Sequence, residues 1–242
     1  MSLAEQIFRY AFAERPDGAL AVMVAETEVV LRPSGALWLE RERTLVVADL
    51  HLEKGSSYAR RGQMLPPYDT RETLGRLEAE ARGTAAAAIV LLGDTFHDGE
   101  AETRLAGEDA ARLTALAGGR ELVWVVGNHD EDGPAALPGQ VLAGLSLAGL
   151  SLIHEPSAGP ARAEVAGHLH PCARVVGKSA SVRRRCFVTD GERLILPAFG
   201  AYAGGLNILD PAFGPLLARP PLTAALGRGR VHPVGWRSLR PD

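Results

Sequence analysis

The stretch VVADLHLEKGSS, residues 46–57, decides the fold. It runs from three apolar residues, Val46, Val47 and Ala48, into Asp49 and His51, and then reaches Lys54, Gly55, Ser56 and Ser57. If a strand continues this far, alternate side chains point the same way, so Asp49 and His51 share one face. A buried carboxylate beside a histidine costs free energy unless something pairs with it. A salt-bridged pair at a strand end and a ligand site both answer that need, and the rest of the chain separates them.

The same design recurs along the chain. AAAAIVLLGDTFHD carries an apolar run into Asp94, and ELVWVVGNHDE carries one into Asn128 and His129. GLSLAGLSLIHEP ends at His154, and EVAGHLHP at His168 and His170. Runs of this length, rich in Val, Ile and Leu, suit strands buried on both faces. Between them lie YDTRETLGRLEAEARG (68–83) and EAETRLAGEDAARLTALAGG (100–119), both with helical spacing and a Gly exit. Strands alternating with helices predict an α/β layered domain. After His170, ARVVGKSASVRRRCFVTDGERLILPAF predicts two or three strands, with Asp190-Gly191 as a hairpin turn. Residues 216–242, rich in Pro, Gly and Arg, predict a peripheral or partly disordered tail. With no internal repeat and no linker, the expectation is one domain over residues 1–242, its core at about 20–215.

The 242 residues are 46% hydrophobic and 23% charged, as in an ordinary globular protein. A net charge of -3 argues against bulk electrostatic attachment to nucleic acid but leaves room for a local basic groove. Two cysteines, Cys172 and Cys186, without a C-x-x-C argue against a disulfide scaffold or a cysteine zinc site and fit a reducing compartment. The first residues carry spread charges and no continuous apolar segment, and no run is long enough to span a bilayer, so the expected location is cytoplasmic with no membrane partner.

Six of the seven histidines sit in polar clusters at or just after strand ends; His232 lies in the tail. In open α/β sheets, ligands bind beyond the carboxyl ends of strands. Those ends deliver Asp49, His51, Asp94, Asn128, His129, His154, His168 and His170. A purely structural network is the alternative, but so many polar groups gathered together need a common partner, and a pair of metal ions supplies one. Imidazole, carboxylate and amide oxygen without thiolate suit Mn, Fe or Zn, with Mn expected. Asp94, on the central strand end, is the natural bridging carboxylate. Two metals about 3.5–4 Å apart clamp both oxygens of an in-line phosphoryl displacement.

Asp49-x-His51, Gly93-Asp94, Gly127-Asn128-His129-Asp130, His154 and Gly167-His168-x-His170 stand in an order that resembles the calcineurin-like metallophosphoesterases, from about residue 46 to 171. The resemblance implies a four-layer α-β-β-α sandwich. It also implies one metal held by Asp49, His51, Asp94 and His170, and a second by Asp94, Asn128, His154 and His168. His129 would stabilise the transition state and protonate the leaving oxygen. One departure is visible. Phosphoprotein phosphatases of this superfamily carry an Asp and then an Arg after the Gly-Asp pair, whereas this chain reads GDTFHDG. His97 takes that Asp's place, so either Asp98 or Asp130 is the candidate to orient His129. Asp98 as a helix cap or turn residue, and His97 as a polar lining residue without a role rather than a substrate contact, are the plainer alternatives.

ADLHLEKGSS, LLGDTFHD, GHLHP and LPAFGAYAGGLNILD together resemble the bacterial DNA-ligase-associated branch, over about residues 20–210. That resemblance implies a manganese-dependent single-stranded DNA endonuclease in repair, acting by in-line attack of a metal-bridging hydroxide. It also implies a functional link to an ATP-dependent DNA ligase, a helicase and an exonuclease. Lys54, Arg60 and Arg61 after the first motif are candidate substrate contacts, and Arg174, Lys178 and Arg183-Arg184-Arg185 after the last could flank a phosphate backbone. A solvated charged face is the alternative for both. In a strand, Arg183 and Arg185 face one way and Arg184 the other. Tyr58, Tyr68, Phe96, Phe199 and Tyr202 are the aromatics available for base stacking or for the core. The rival functions are a small-molecule phosphodiesterase or pyrophosphatase with the same metal site, and a non-catalytic scaffold of the same fold. No long insertion separates the motifs, which predicts an open site.

Overall fold

A computed structural model describes residues 11–177, 180–217 and 220–242. Its first sheet is built in chain order from β1 (Phe12–Glu14), β2 (Leu20–Val24), β3 (Thr27–Leu31), β4 (Leu37–Leu39), β5 (Thr44–Val47), β6 (Ala88–Leu92), β7 (Glu121–Val125) and β8 (Gln140–Leu142). The strands pair antiparallel up to β5 and parallel from β5 to β8. Parallel neighbours need crossovers, and helices α1 (Lys54–Arg60), α2 (Asp69–Gly83), α3 (Ala101–Arg104) and α4 (Gly107–Leu116) lie in them. The second helical stretch of the sequence is therefore broken: Leu105 and Ala106 turn extended, with ψ of 131° and 142°.

The second sheet holds β9 (Gly144–Leu147), β10 (Leu150–Ile153), β11 (Glu164–Ala166), β12 (Pro171–Val176), β13 (Ser181–Thr189), β14 (Arg193–Ile195), β15 (Leu206–Asn207), β16 (Leu222–Leu226), β17 (Val231–Val234) and β18 (Leu239–Arg240). The 190–191 turn joins β13 to β14 as an antiparallel hairpin, as its Asp-Gly predicts. Another hairpin, β9–β10, turns on Ala148 and Gly149, both at positive φ. GLSLAGLSLIHEP is thus two strands rather than one run.

Alternation explains the layers. On β2, β5, β6 and β7 one set of side chains (Leu20, Val22, Val46, Val90, Val123) packs against Leu152, Val165, Phe187 and Leu194 of the second sheet. The opposite set (Leu45, Val47, Ile89, Leu91, Trp124) packs against Leu74, Leu77 and Leu113 of α2 and α4. Each fully buried Leu or Val contributes about 1.5–3 kcal/mol through removal from water. The outer face of the second sheet is covered by a thin layer: Phe213 and Trp236, on two 3₁₀ turns, pack on Cys186, Val188 and Ile195 with Ile208.

The end of the chain departs from the expected tail. β16 pairs with β13 over Cys186–Thr189, and Leu222 and Ala224 enter the layer between the sheets. Pro220 and Pro221 only precede the strand, where a missing N–H does not interrupt a ladder. Buried Arg193 anchors the same region: its guanidinium pairs with Glu164 at 2.5 Å and donates to the carbonyls of Ser157, Gly159 and Leu216.

Candidate metal centre

Five strand ends meet at one edge of the two sheets: β5, β6 and β7 of the first, β10 and β11 of the second. The continuing-strand reading of Asp49 and His51 does not hold, because β5 stops at Val47. Both residues are instead left-handed, with φ of 55° and 46°, and Leu50 between them is buried in the helix-side core. His168 and His170 repeat this device, at φ 67° and 46°, with Leu169 packed on the other side. Asp94, at φ 46°, is also left-handed. Non-glycine residues in this region carry strain of about 1–3 kcal/mol each, and such strain gathers at functional sites.

The motif glycines allow close approach. A Cβ on Gly93, itself at φ 74°, would sit 2.1 Å from Nδ1 of His154, and one on Gly127 would sit 2.3 Å from Asp94 Oδ1.

Asp94 is 2% exposed, and its two oxygens face different partners. Oδ1 lies 3.3 Å from His154 Nε2, while Oδ2 lies 3.8 Å from His51 Nε2 and 3.9 Å from His129 Nε2. Asp49 Oδ1 lies 3.3 Å from His170 Nε2, and both Asp49 oxygens accept from the backbone N–H of His168. Donor atoms of Asp49, His51, Asp94 and His170 gather within 4.8 Å of one another, as do those of Asp94, His154 and His168. Asn128 joins the second group with its Oδ1 3.1 Å from His154 Nε2.

These donors fit divalent cations. Nε2 of His51 faces Nε2 of His170 at 3.2 Å, and Nε2 of His154 faces Nδ1 of His168 at 3.2 Å. Two imidazole lone pairs this close repel unless a proton or a cation lies between them. Burial, with the neighbouring His170, pushes His51 down to about 3, so it stays neutral. Burial works to raise Asp94, but the hydrogen bond and charge of His154 hold it at about 2, so it stays ionised. Those are the protonation states a metal ligand needs. The Nδ1–H of His154 donates to the carbonyl of Leu92, which fixes the tautomer that presents Nε2.

His129 stands at the rim, 41% exposed. Its Nδ1–H donates to the backbone carbonyl of His97 at 2.9 Å, and its ring stacks on that of His97 at 5.5 Å. The two carboxylates expected to orient it are engaged elsewhere. Asp98 pairs with Arg104 at 2.7 Å and accepts from the N–H of Glu100. Asp130, buried, accepts from the N–H groups of Phe96 and Gly127 and so ties the two loops together. Burial and the charge of Asp94 push Asp130 up to about 6, against those hydrogen bonds.

His97 joins the site with His51 and His129. Burial, and the positive charges of Lys54 and Arg61 among its neighbours, lower it to about 4. Lys54 lies over the Tyr58 ring at 5.8 Å. Arg60 and Arg61 line a groove of about 450 Å³ with Ser57, Asp98, Gly99 and Glu100, but Arg60 is paired with Glu100. Phe96 and Phe199 are core, and Phe96 stacks on Trp124 at 6.0 Å. Lys178 lies outside the described residues.

Among the described residues, no helix is long and apolar enough to cross a membrane. In comparisons with known proteins, no curated protein matches. Among solved structures the chain is similar to the Pseudomonas putida nuclease MPE, with 27% identity over 93% of this chain and 100% of that one, at a TM-score of 0.66. It also matches Yfce, a phosphoesterase from E. coli, at 17% identity over 79% of this chain and 98% of that one, with a TM-score of 0.37. Residues 42–179 match the calcineurin-like phosphoesterase family, a span that carries every residue of both donor groups. The chain belongs to the calcineurin-like phosphoesterases.

Proposed function

We propose that this chain is a two-metal phosphodiesterase that cuts single-stranded DNA internally, in DNA repair. The observation that supports it most is the Asp94 carboxylate, whose two oxygens serve two separate donor groups. In this reading Asp49, His51, Asp94 and His170 hold one cation, and Asp94, Asn128, His154 and His168 the other, with manganese preferred. Bound there, such cations would offset charge on the phosphoryl oxygens and acidify an attacking water.

The chain's own groups do the rest. Because the Nδ1–H of His129 is committed to the His97 carbonyl, Nε2 is the atom free to hydrogen-bond a phosphoryl oxygen and pass a proton to the leaving oxygen. Lys54 and Arg61, whose charges reach His97, are the candidates to hold a neighbouring phosphate. Arg60 would have to leave Glu100 first. Asn128 and His129 are exposed, which suits a long substrate better than an enclosed one. The likeness to a nuclease favours nucleic acid, and the ligase-associated motifs favour work beside a DNA ligase, a helicase and an exonuclease.

The test offers purified protein with manganese a circular single-stranded DNA, duplex DNA and bis-p-nitrophenyl phosphate. Linearisation of the circle, with duplex much poorer, supports the reading. A circle that survives while the small diester is hydrolysed briskly replaces it with a small-molecule phosphodiesterase.

A further inference from the structure

The strand register sets three arginines side by side. Arg174 on β12 pairs with Arg183 on β13, and on its other side with Arg240 on β18. Directly opposed residues project from the same face, about 4.5–5.5 Å apart, and like charges so placed destabilise a sheet. One carboxylate, Asp242, faces the row, and it acts electrostatically on both Arg183 and Arg174. Arg183 meets Asp242 at 3.0 Å, and Arg240 donates, among the described residues, to the carbonyls of Arg237 and Leu239. Arg174 has no hydrogen bond or ion pair among the described residues.

The row lies on the strand that leaves the metal centre. β12 begins one residue after His170, so Arg174 lies roughly 13 Å along the strand at about 3.3 Å per residue. Arg183 donates to the carbonyl of Gly205, and the next N–H, that of Leu206, donates to the carbonyl of His170. On the same face Arg185 donates to the carbonyls of Ala198, Ala201 and Ala203, and that loop hydrogen-bonds back to Asp49 through Gly200. Arg185, half-buried, is committed to holding the loop, whereas the exposed Arg183 and Arg240 would release Asp242 and their carbonyls to meet a phosphate. Ala173 and Leu239, beside these arginines, turn instead into the outer core.

We infer that Arg174, Arg183 and Arg240 form a track for the phosphate backbone of a single-stranded nucleic acid leading away from the metal centre along β12. This rests on the nuclease reading of the site. A phosphodiester chain supplies anions in series, which a row of guanidinium groups on one face matches and a single small diester does not. β18, from the end of the chain expected to be a tail, completes the row.

The test measures binding of a single-stranded oligonucleotide by fluorescence anisotropy from 50 to 300 mM salt, for the wild type and for the triple variant R174A/R183A/R240A. Bis-p-nitrophenyl phosphate turnover in the same preparations reads the metal centre, and thermal melting reads the fold. The triple variant should bind tenfold or more weakly, and its salt slope should be shallower by about 2, at about 0.7 per lost phosphate contact. Its melting temperature should change by no more than a few degrees, since relief of like-charge repulsion offsets loss of the exposed Arg183–Asp242 pair and the carbonyl bonds. The R174K/R183K/R240K variant, which keeps the charges, should retain most of the slope. Unchanged affinity and slope in the folded alanine variant would overturn the track and leave the nuclease reading standing. A wild type that hydrolyses the small diester but neither binds the oligonucleotide nor cuts the circle would overturn both.

Discussion

The imidazole of His129 is held by the backbone carbonyl of His97, not by a carboxylate. A backbone acceptor survives substitution of the side chain that follows it. His97→Ala should therefore keep the His129 tautomer and lose the ring contacts with His129, His51 and Tyr58, each worth about 0.5–1.5 kcal/mol at most, with a fall in kcat of about tenfold or less. His129→Ala should lose about 10²–10⁴-fold while keeping its metal. Steady-state hydrolysis of bis-p-nitrophenyl phosphate checks both; equal losses would return the catalytic part to the His97 ring.

Gly93 touches the ring of His154, and its φ of 74° disfavours any side chain. Gly93→Ala should displace His154 and weaken metal binding by about 10–100-fold, as loss of a supporting contact to a ligand does. Titration of the metal-free protein with manganese, read by calorimetry, would show one tight site where the wild type shows two. Two unchanged sites would count against His154 as a ligand.

Glu164 and Arg193 form a buried ion pair whose guanidinium also serves three carbonyls. Removing one partner leaves an uncompensated charge in the interior. Glu164→Gln should cost about 3–5 kcal/mol in urea unfolding, with an unchanged denaturant slope. A loss under 1 kcal/mol would mean that the carbonyls alone satisfy Arg193.

Asp98 links α1 and α3 to the site through Arg104, and the pairing with Arg104 outweighs burial to lower its pKa from 3.8 to about 2. A carboxylate depressed in the folded state stabilises above its unfolded pKa and loses that contribution as pH falls through the folded value. Stability of the wild type over Asp98→Asn should therefore be full at pH 6 and shrink from about pH 4 towards pH 2. Being partly exposed, the pair should contribute no more than about 1 kcal/mol. Urea midpoints across that range check the sign, and a gap that widens in acid would reverse it.

That the candidate donors gather at one place was legible because each follows an apolar run, and strand ends at one sheet edge meet. How Asp49 and His51 come together was not, since alternation along a strand and paired left-handed turns leave the same D-x-H text. The orienter of His129 was hidden because a backbone carbonyl carries no residue signature. Asp98 and Asp130 looked equally available, yet an arginine six residues on claims one and two backbone N–H groups the other. Arg60 was taken by Glu100, forty positions away, a pairing that no local pattern announces. The last strands were masked by Pro, Gly and Arg at their turns and by Pro233 within β17, while the alternating Leu222 and Ala224 that enter the core form too short a pattern to stand out.

The central claim is that one carboxylate joins two cations, and metal content after exhaustive dialysis tests it most directly. Wild type and His129→Ala should each retain about two manganese ions per chain by elemental analysis. Asp94→Ala, which removes the oxygens facing both His154 and His51, should retain fewer than one. Two ions retained by the Asp94→Ala protein would contradict the shared carboxylate and the two-metal account built on it.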